Sequence, residues 1–152
     1  MGKMAALTAV LLATALKTQY ESDGGSCIRL YGTPTRADTA DSIGAAVLLC
    51  ILTSSSNPLE FEIPTDQILS KSIVQTWEGT NLASGTAVWG CLSPLTDTGA
   101  ASTAIHRFDF SIGLWTDSPL PDYKMSNNVL VAGELTRMNQ ANFTIVRDVS
   151  DI

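Results

Sequence analysis

Charge is scarce in this chain. Charged side chains make up 16% of its 152 residues, against about 25% in an average soluble domain. Cations are scarcer still: nine Lys and Arg face fifteen Asp and Glu, for a net charge of −6. That balance excludes a basic nucleic-acid binder. His106 is the only histidine, and a metal site built on it would need carboxylate help. Asp109 does not offer that help from the same strand, because its odd offset points it to the other face. Cys27, Cys50 and Cys91 are widely spaced, odd in number and set in apolar runs. No C-x-x-C pair suggests zinc, and buried free thiols are the expectation, with a Cys27–Cys91 bridge as the alternative. There is no G-x-S-x-G elbow, Walker loop or dinucleotide fingerprint. The longest apolar run falls well below the ~20 residues of a bilayer span.

Neutral hydroxyls replace the missing charge, with 17 Thr and 15 Ser. Apolar residues supply 45%, which excludes a disordered chain. A chain of this length buries about 68% of its unfolded surface, enough to fold without covalent staples and too little for a second substantial core.

The first segment, MGKMAALTAVLLATALKTQY, has the outline of a secretory leader: Lys3, an apolar stretch from Leu7 to Leu12, and Ala13-Thr14-Ala15. The reading adopted is a helix that packs against its own fold or a partner. Leu7 pairs with Leu11, and Leu12, Leu16 and Tyr20 form a neighbouring row, so the apolar sector is wide. Gly24-Gly25 ends the helix. Asn142-Phe143-Thr144 matches a glycosylation sequon, which carries meaning only in a secreted chain.

Beyond the helix the period changes to that of strands. Cys27–Tyr31 puts Ile28 and Leu30 on one face and Cys27, Arg29 and Tyr31 on the other. Ala46–Thr53 is an apolar run suited to burial on both faces. Leu59–Ile63 alternates, with Leu59, Phe61 and Ile63 inward and Glu60 and Glu62 outward. Further strands are expected at Ser72–Trp77, Thr86–Ser93, Ile105–Ile112, Tyr123–Ser126 and Leu135–Val146, with a turn around Gly133-Glu134. About seven to eight short strands of this spacing predict a mainly β protein, an antiparallel β-sandwich preceded by an N-terminal α-helix. The expected organisation is a helix or arm over 1–22 and a sandwich over 26–148.

Chemistry-bearing residues each have a plainer use. His106 heads an apolar strand face without a nucleophile and carboxylate beside it, so a structural histidine is expected. Glu60 and Glu62 read as the solvated side of a strand. Asp38 and Asp41 read as turn formers, the calcium alternative lacking an EF-hand pattern. Trp77 and Trp89 read as core. Trp115, in a loop context, is the candidate exposed contact residue. No catalytic, cofactor-binding or metal-binding residue is assigned. The partner-facing candidates are Leu7, Leu11, Leu12, Leu16 and Trp115.

Several segments together carry a resemblance. The helix is followed by Cys27-Ile28-Arg29-Leu30-Tyr31-Gly32-Thr33-Pro34-Thr35-Arg36-Ala37-Asp38, then an apolar strand. Later come Ser84-Gly85-Thr86-Ala87-Val88-Trp89, Asn127-Asn128-Val129-Leu130-Val131-Ala132-Gly133 and Asn142-Phe143-Thr144-Ile145. This pattern resembles a group of small tailed-bacteriophage virion structural proteins. Those carry an I-R-[IL]-Y strand, a G-T-x-P-x-x-A-D loop, an S-G-T-A-x-aromatic strand and a closing F-T-I strand. The acidic 117–122 loop and the lack of an Arg soon after Trp89 depart from it. The resemblance implies a non-enzymatic structural component located in the virion and made in the bacterial host cytoplasm.

Within that class a capsid decoration or cement subunit is expected, binding the major capsid protein or neighbouring virion proteins and copies of itself. No nucleic acid, membrane, small-molecule substrate or cofactor is expected. The alternative is a tail or neck component of the head–tail connector type. Two other classes are a secreted carbohydrate-binding β-sandwich, using Trp115 and the acidic loops, and a small hydrolase around His106.

Overall fold

The computed structural model describes residues 2–65 and 68–144, with the helix side chains described from Val10 onward. The chain is mainly β and sandwich-like, with one N-terminal helix, α1 (Gly2–Glu21). The strands that follow are β1 (Ser26–Tyr31), β2 (Leu48–Leu52), β3 (Ile68–Ser70), β4 (Trp77–Thr80), β5 (Gly85–Thr86) and β6 (Trp89–Pro94). Then come β7 (Phe108–Leu114), β8 (Tyr123–Met125), β9 (Val129–Leu130), β10 (Leu135–Met138) and β11 (Asn142–Thr144). A five-stranded sheet runs β2-β1-β6-β7-β8, and the pairs β10-β4, β11-β3 and β5-β9 complete the architecture. All pairs are antiparallel except β7 with β8.

Strand β1 lies between β2 and β6 and is buried along its whole length. Its period-2 alternation therefore serves two interiors rather than core and solvent. Ile28 stands opposite Leu52 and Leu92, and these join Leu30, Trp77, Phe110 and Phe143 in the main core. On the opposite face Tyr31 stacks on Trp89 with ring centroids 4.4 Å apart, in a smaller cluster with Ala46 and Cys91. Two glycines permit close approaches in this packing. A Cβ on Gly90 would come within 2.5 Å of the Phe110 ring, and one on Gly79 within 2.0 Å of the Ile51 carbonyl oxygen.

The expected strands are corrected where a segment divides its hydrogen bonds between partners. Leu59–Ile63 forms no ladder, because Leu59 N–H donates to Ser26 and Glu62 N–H to Ser70. Leu59 and Phe61 point inward as expected, but Ile63 is 79% exposed and Pro64 is buried instead. Ser72–Trp77 is not a strand. The Lys71 ammonium donates to the Ser72 and Gln75 carbonyls and turns the chain, so extension starts only at Trp77.

Thr86–Ser93 splits, β5 joining β9 while β6 joins β1. Leu135–Val146 splits likewise: β10 pairs with β4 and β11 with β3, and the Ala141 carbonyl between them accepts the Lys71 N–H. The expected end of that segment, with Ile145 and Val146, lies outside the described residues. Ile105–Ile112 starts three residues late, at Phe108, which leaves His106 exposed and outside the strand rather than heading its apolar face. The cause is Arg107, whose guanidinium is drawn under the sheet by five acceptors described below.

Cys27, Cys50 and Cys91 are free and buried, with no Cys27–Cys91 bridge. Burial pushes the Cys91 thiol up to about 12 and the Cys50 thiol to about 11, and raises Cys27 as well. Since the thiolate is the reactive form, native protein at pH 8 is expected to be inert to a thiol-titrating disulfide reagent. All three thiols should react once denaturant is added. Rapid labelling of the native protein would contradict their burial.

Candidate interaction surfaces

Helix α1 is built from good helix formers without an interior Gly or Pro. Its last two turns dock: Ala13 and Tyr20 are buried, and Leu16 packs against the core. Glu21 fixes the end, accepting the Phe61 N–H at 2.8 Å and pairing with Lys17. Leu16 is therefore a packing residue of this chain rather than part of a free contact face. Leu11 and Leu12, one turn earlier, are 60% and 42% exposed. The side chain of Leu7 lies outside the described residues.

Trp115, the fifth candidate, is elsewhere and is 68% exposed. It lines a cleft of about 560 Å³ walled by residues 122–127, Arg137 and residues 139–143, to which the described helix side chains contribute nothing. The exposed candidates Leu11, Leu12 and Trp115 thus fall in two places. Sequence reasoning missed a third exposed apolar group, Ile63, Ile73 and Val74. The first two are brought near each other when the Glu62 carboxylate accepts the Ile73 N–H at 2.6 Å. The signal for Ile73 and Val74 is an apolar pair within the segment expected as a strand over Ser72–Trp77.

Of the 32–38 loop, Gly32 is buried and the Arg36 side chain turns inward, while the other five residues are exposed. Trp89 Nε1–H donates to the Gly32 carbonyl at 3.0 Å and to Pro34 at 3.2 Å. Arg36 forks onto Asp109 through Nε and Nη2, both at 2.7 Å, with its guanidinium 5.3 Å from the Trp89 ring centroid. The Asp109 hydrogen bonds, above all, raise the Arg36 pKa.

Beside it Arg107 donates to Asp97 at 2.8 and 2.6 Å and to the carbonyls of Thr39, Asp41 and Ala100. Burial alone would raise the Asp97 carboxyl. Hydrogen bonds from Arg107 and the Gly99 N–H, with the Arg107 charge, outweigh it and hold the group down to about 2. Arg29 completes the layer through Ser93 and the Pro94 and Leu95 carbonyls. These charged groups fasten loops to the back of the sheet.

Asp38 and Asp41 act as turn formers: Asp38 accepts the Ala40 N–H, and Asp41 accepts the Asp38 N–H. The Glu60 side chain is exposed, while Glu62 makes the Ile73 contact. Trp77 and Trp89 are core residues, as expected. Among the described residues no group of three His, Cys, Asp or Glu is placed to hold a metal ion. None of the described helical segments is long and apolar enough to cross a membrane. No family model, curated protein or solved structure matches the chain.

Proposed function

We propose that this chain is a bacteriophage virion structural protein, a capsid decoration or cement subunit that stabilises the particle by binding the shell and copies of itself. The observation that carries the reading is the uncovered part of α1, where Leu11 and Leu12 face solvent on a helix whose following turns are docked. An isolated domain gains nothing from two exposed leucines on a helix, whereas an assembling one gains buried area. The neutral Ser/Thr composition supports the same reading, since desolvating hydroxyls costs less than desolvating ions. The resemblance of the 27–38 and 84–89 segments to small virion proteins supplies the class of partner.

Tyr20 and Leu16 belong to the core, so deleting the whole helix would confound binding with folding. The sharper test is Leu11→Glu with Leu12→Glu. Losing two leucine burials costs about 3 kcal/mol or more, on the order of a hundredfold in binding constant. The double variant is expected to keep its melting temperature and disappear from purified particles. Normal occupancy would refute the helix as the contact. Copy number separates the decoration subunit from a neck or tail component: hundreds per particle fit the shell, six or twelve the neck.

A further inference from the structure

We propose that the cleft beside Trp115 is a binding site for neutral oligosaccharide. Its volume, about 560 Å³, lies within the ~300–1,000 Å³ of small-molecule sites. Four carboxamides line it, from Asn127, Asn139, Gln140 and Asn142. Each carboxamide both donates and accepts, which matches the paired donor and acceptor character of neighbouring sugar hydroxyls. The exposed indole of Trp115 supplies the apolar surface on which the C–H face of a sugar ring packs.

The walls are held in place before any ligand arrives. Asn127 Oδ1 accepts the Val129 N–H at 2.9 Å, fixing the turn that carries it. The 139–141 interruption between β10 and β11 is pinned by the Lys71 N–H on the Ala141 carbonyl, at 2.8 Å. Phe143 at the inner wall is buried edge-on against Phe108. Trp115 is steadied by Lys124, whose Nζ lies 5.5 Å from the ring centroid. Such preorganisation lowers the ordering cost of binding.

Charge argues for a neutral ligand. Arg137 is already committed, donating to one Glu78 oxygen through Nε and Nη2 at 3.0 and 2.7 Å. Lys124 sits on the indole, and Asp122 on the same wall accepts the Ser111 N–H and hydroxyl. An anion would meet Lys124 and Arg137 already engaged elsewhere, and a cation would meet those two positive groups with Asp122 already bonded to Ser111. The Asn139, Gln140 and Asn142 carboxamides are themselves uncharged and line the same cleft.

The test is a titration of the isotopically labelled soluble chain with maltotriose, cellotriose and chitotriose, with sialyllactose as the anionic arm. Each is taken to about 10 mM, where a site of ~1 mM Kd is about nine-tenths filled. At least one neutral trisaccharide should shift the Trp115 indole N–H and the Gln140 and Asn142 carboxamide signals. Trp115→Ala and Gln140→Ala, both at exposed positions, should each weaken binding about tenfold without changing the melting temperature.

No shift with any neutral sugar, shifts outside the cleft, or binding untouched by both substitutions would overturn the proposal. So would binding of sialyllactose alone. The readout uses free protein and no particles, so its failure leaves the virion reading standing, and the reverse holds too.

Discussion

Asp97→Ala is expected to destabilise the fold by about 3–5 kcal/mol, the cost of leaving a buried charge without its partner. The Arg107 and Asp97 side chains are 0% and 5% exposed, so solvent cannot take over the lost bonds. In a chain of this size the loss corresponds to a melting temperature lower by about 10 °C or more. Replacing both residues by leucine should cost less than removing Asp97 alone, because no orphaned charge remains.

The same pair sets an acid limit. Asp97 titrates at about 2 in the folded protein, from an ordinary value of 3.8. A folded-state pKa that is depressed contributes stability above the unfolded value and loses it as pH falls through the folded one. About 2 kcal/mol is therefore present above pH ~4 and lost between pH ~4 and pH ~2. Urea melts at pH 6, 3 and 2 read this directly, and Asp97→Asn should flatten the slope across that window. A wild-type slope equal to that of the Asn variant would mean that Asp97 is not held ionised by Arg107.

Trp77→Ala is the second large effect, about 3–5 kcal/mol. Trp77 is fully buried in the main core and meets Phe61 edge-on with centroids 5.4 Å apart. Its Nε1–H donates to Gln75 Oε1 at 2.8 Å, and that oxygen also accepts the Glu60 N–H. One side chain thus joins core packing to two irregular stretches, through the Glu60 backbone and Gln75. Trp77→Phe keeps an aromatic surface and loses the hydrogen bond, so about 1 kcal/mol of its cost belongs to that bond. Chemical denaturation of both variants checks the ordering, and a cost below about 1 kcal/mol for the alanine variant would contradict the packing.

Much of this core was legible in the sequence because it obeys period 2. Ile28, Leu30, Phe110 and Ile112 alternate as they should, and the buried Trp77 and Trp89 are recognisable by their apolar neighbours. Alternation failed where the backbone changes partner: a residue pattern reports which way side chains point, not which strand accepts the hydrogen bonds. Hence the splits at 87–88 and 139–141, and the loss of a ladder over 59–63.

The buried arginines were illegible for another reason. Arg29, Arg36 and Arg107 sit in stretches that look like one wet face of a strand or a loop. Arg29 and Arg36 find their partners, the 93–95 stretch and Asp109, far along the chain, and Arg107 joins nearby Asp97 to the distant Thr39 carbonyl, so only folding assembles these sites. Of the interaction candidates, Leu11, Leu12 and Trp115 are exposed. Leu16 was assigned to the outside because helical spacing gives a wide apolar sector without saying where the domain begins.

Strand β1 sits between a near neighbour and a distant one. Tyr31 meets Leu48 across a short excursion, but Ser26 meets Pro94 only after most of the intervening chain has been laid down. Closing a loop of roughly 60 residues costs about 3.6 kcal/mol in chain entropy, against about 2.5 for roughly 16 residues. Folding of such a non-local topology belongs in the millisecond-to-second range rather than the microsecond one. The β1–β2 hairpin is the cheaper first step, and until β6 returns its outer edge is an unpaired apolar strand. During that interval neighbouring molecules compete with β6 for the same edge.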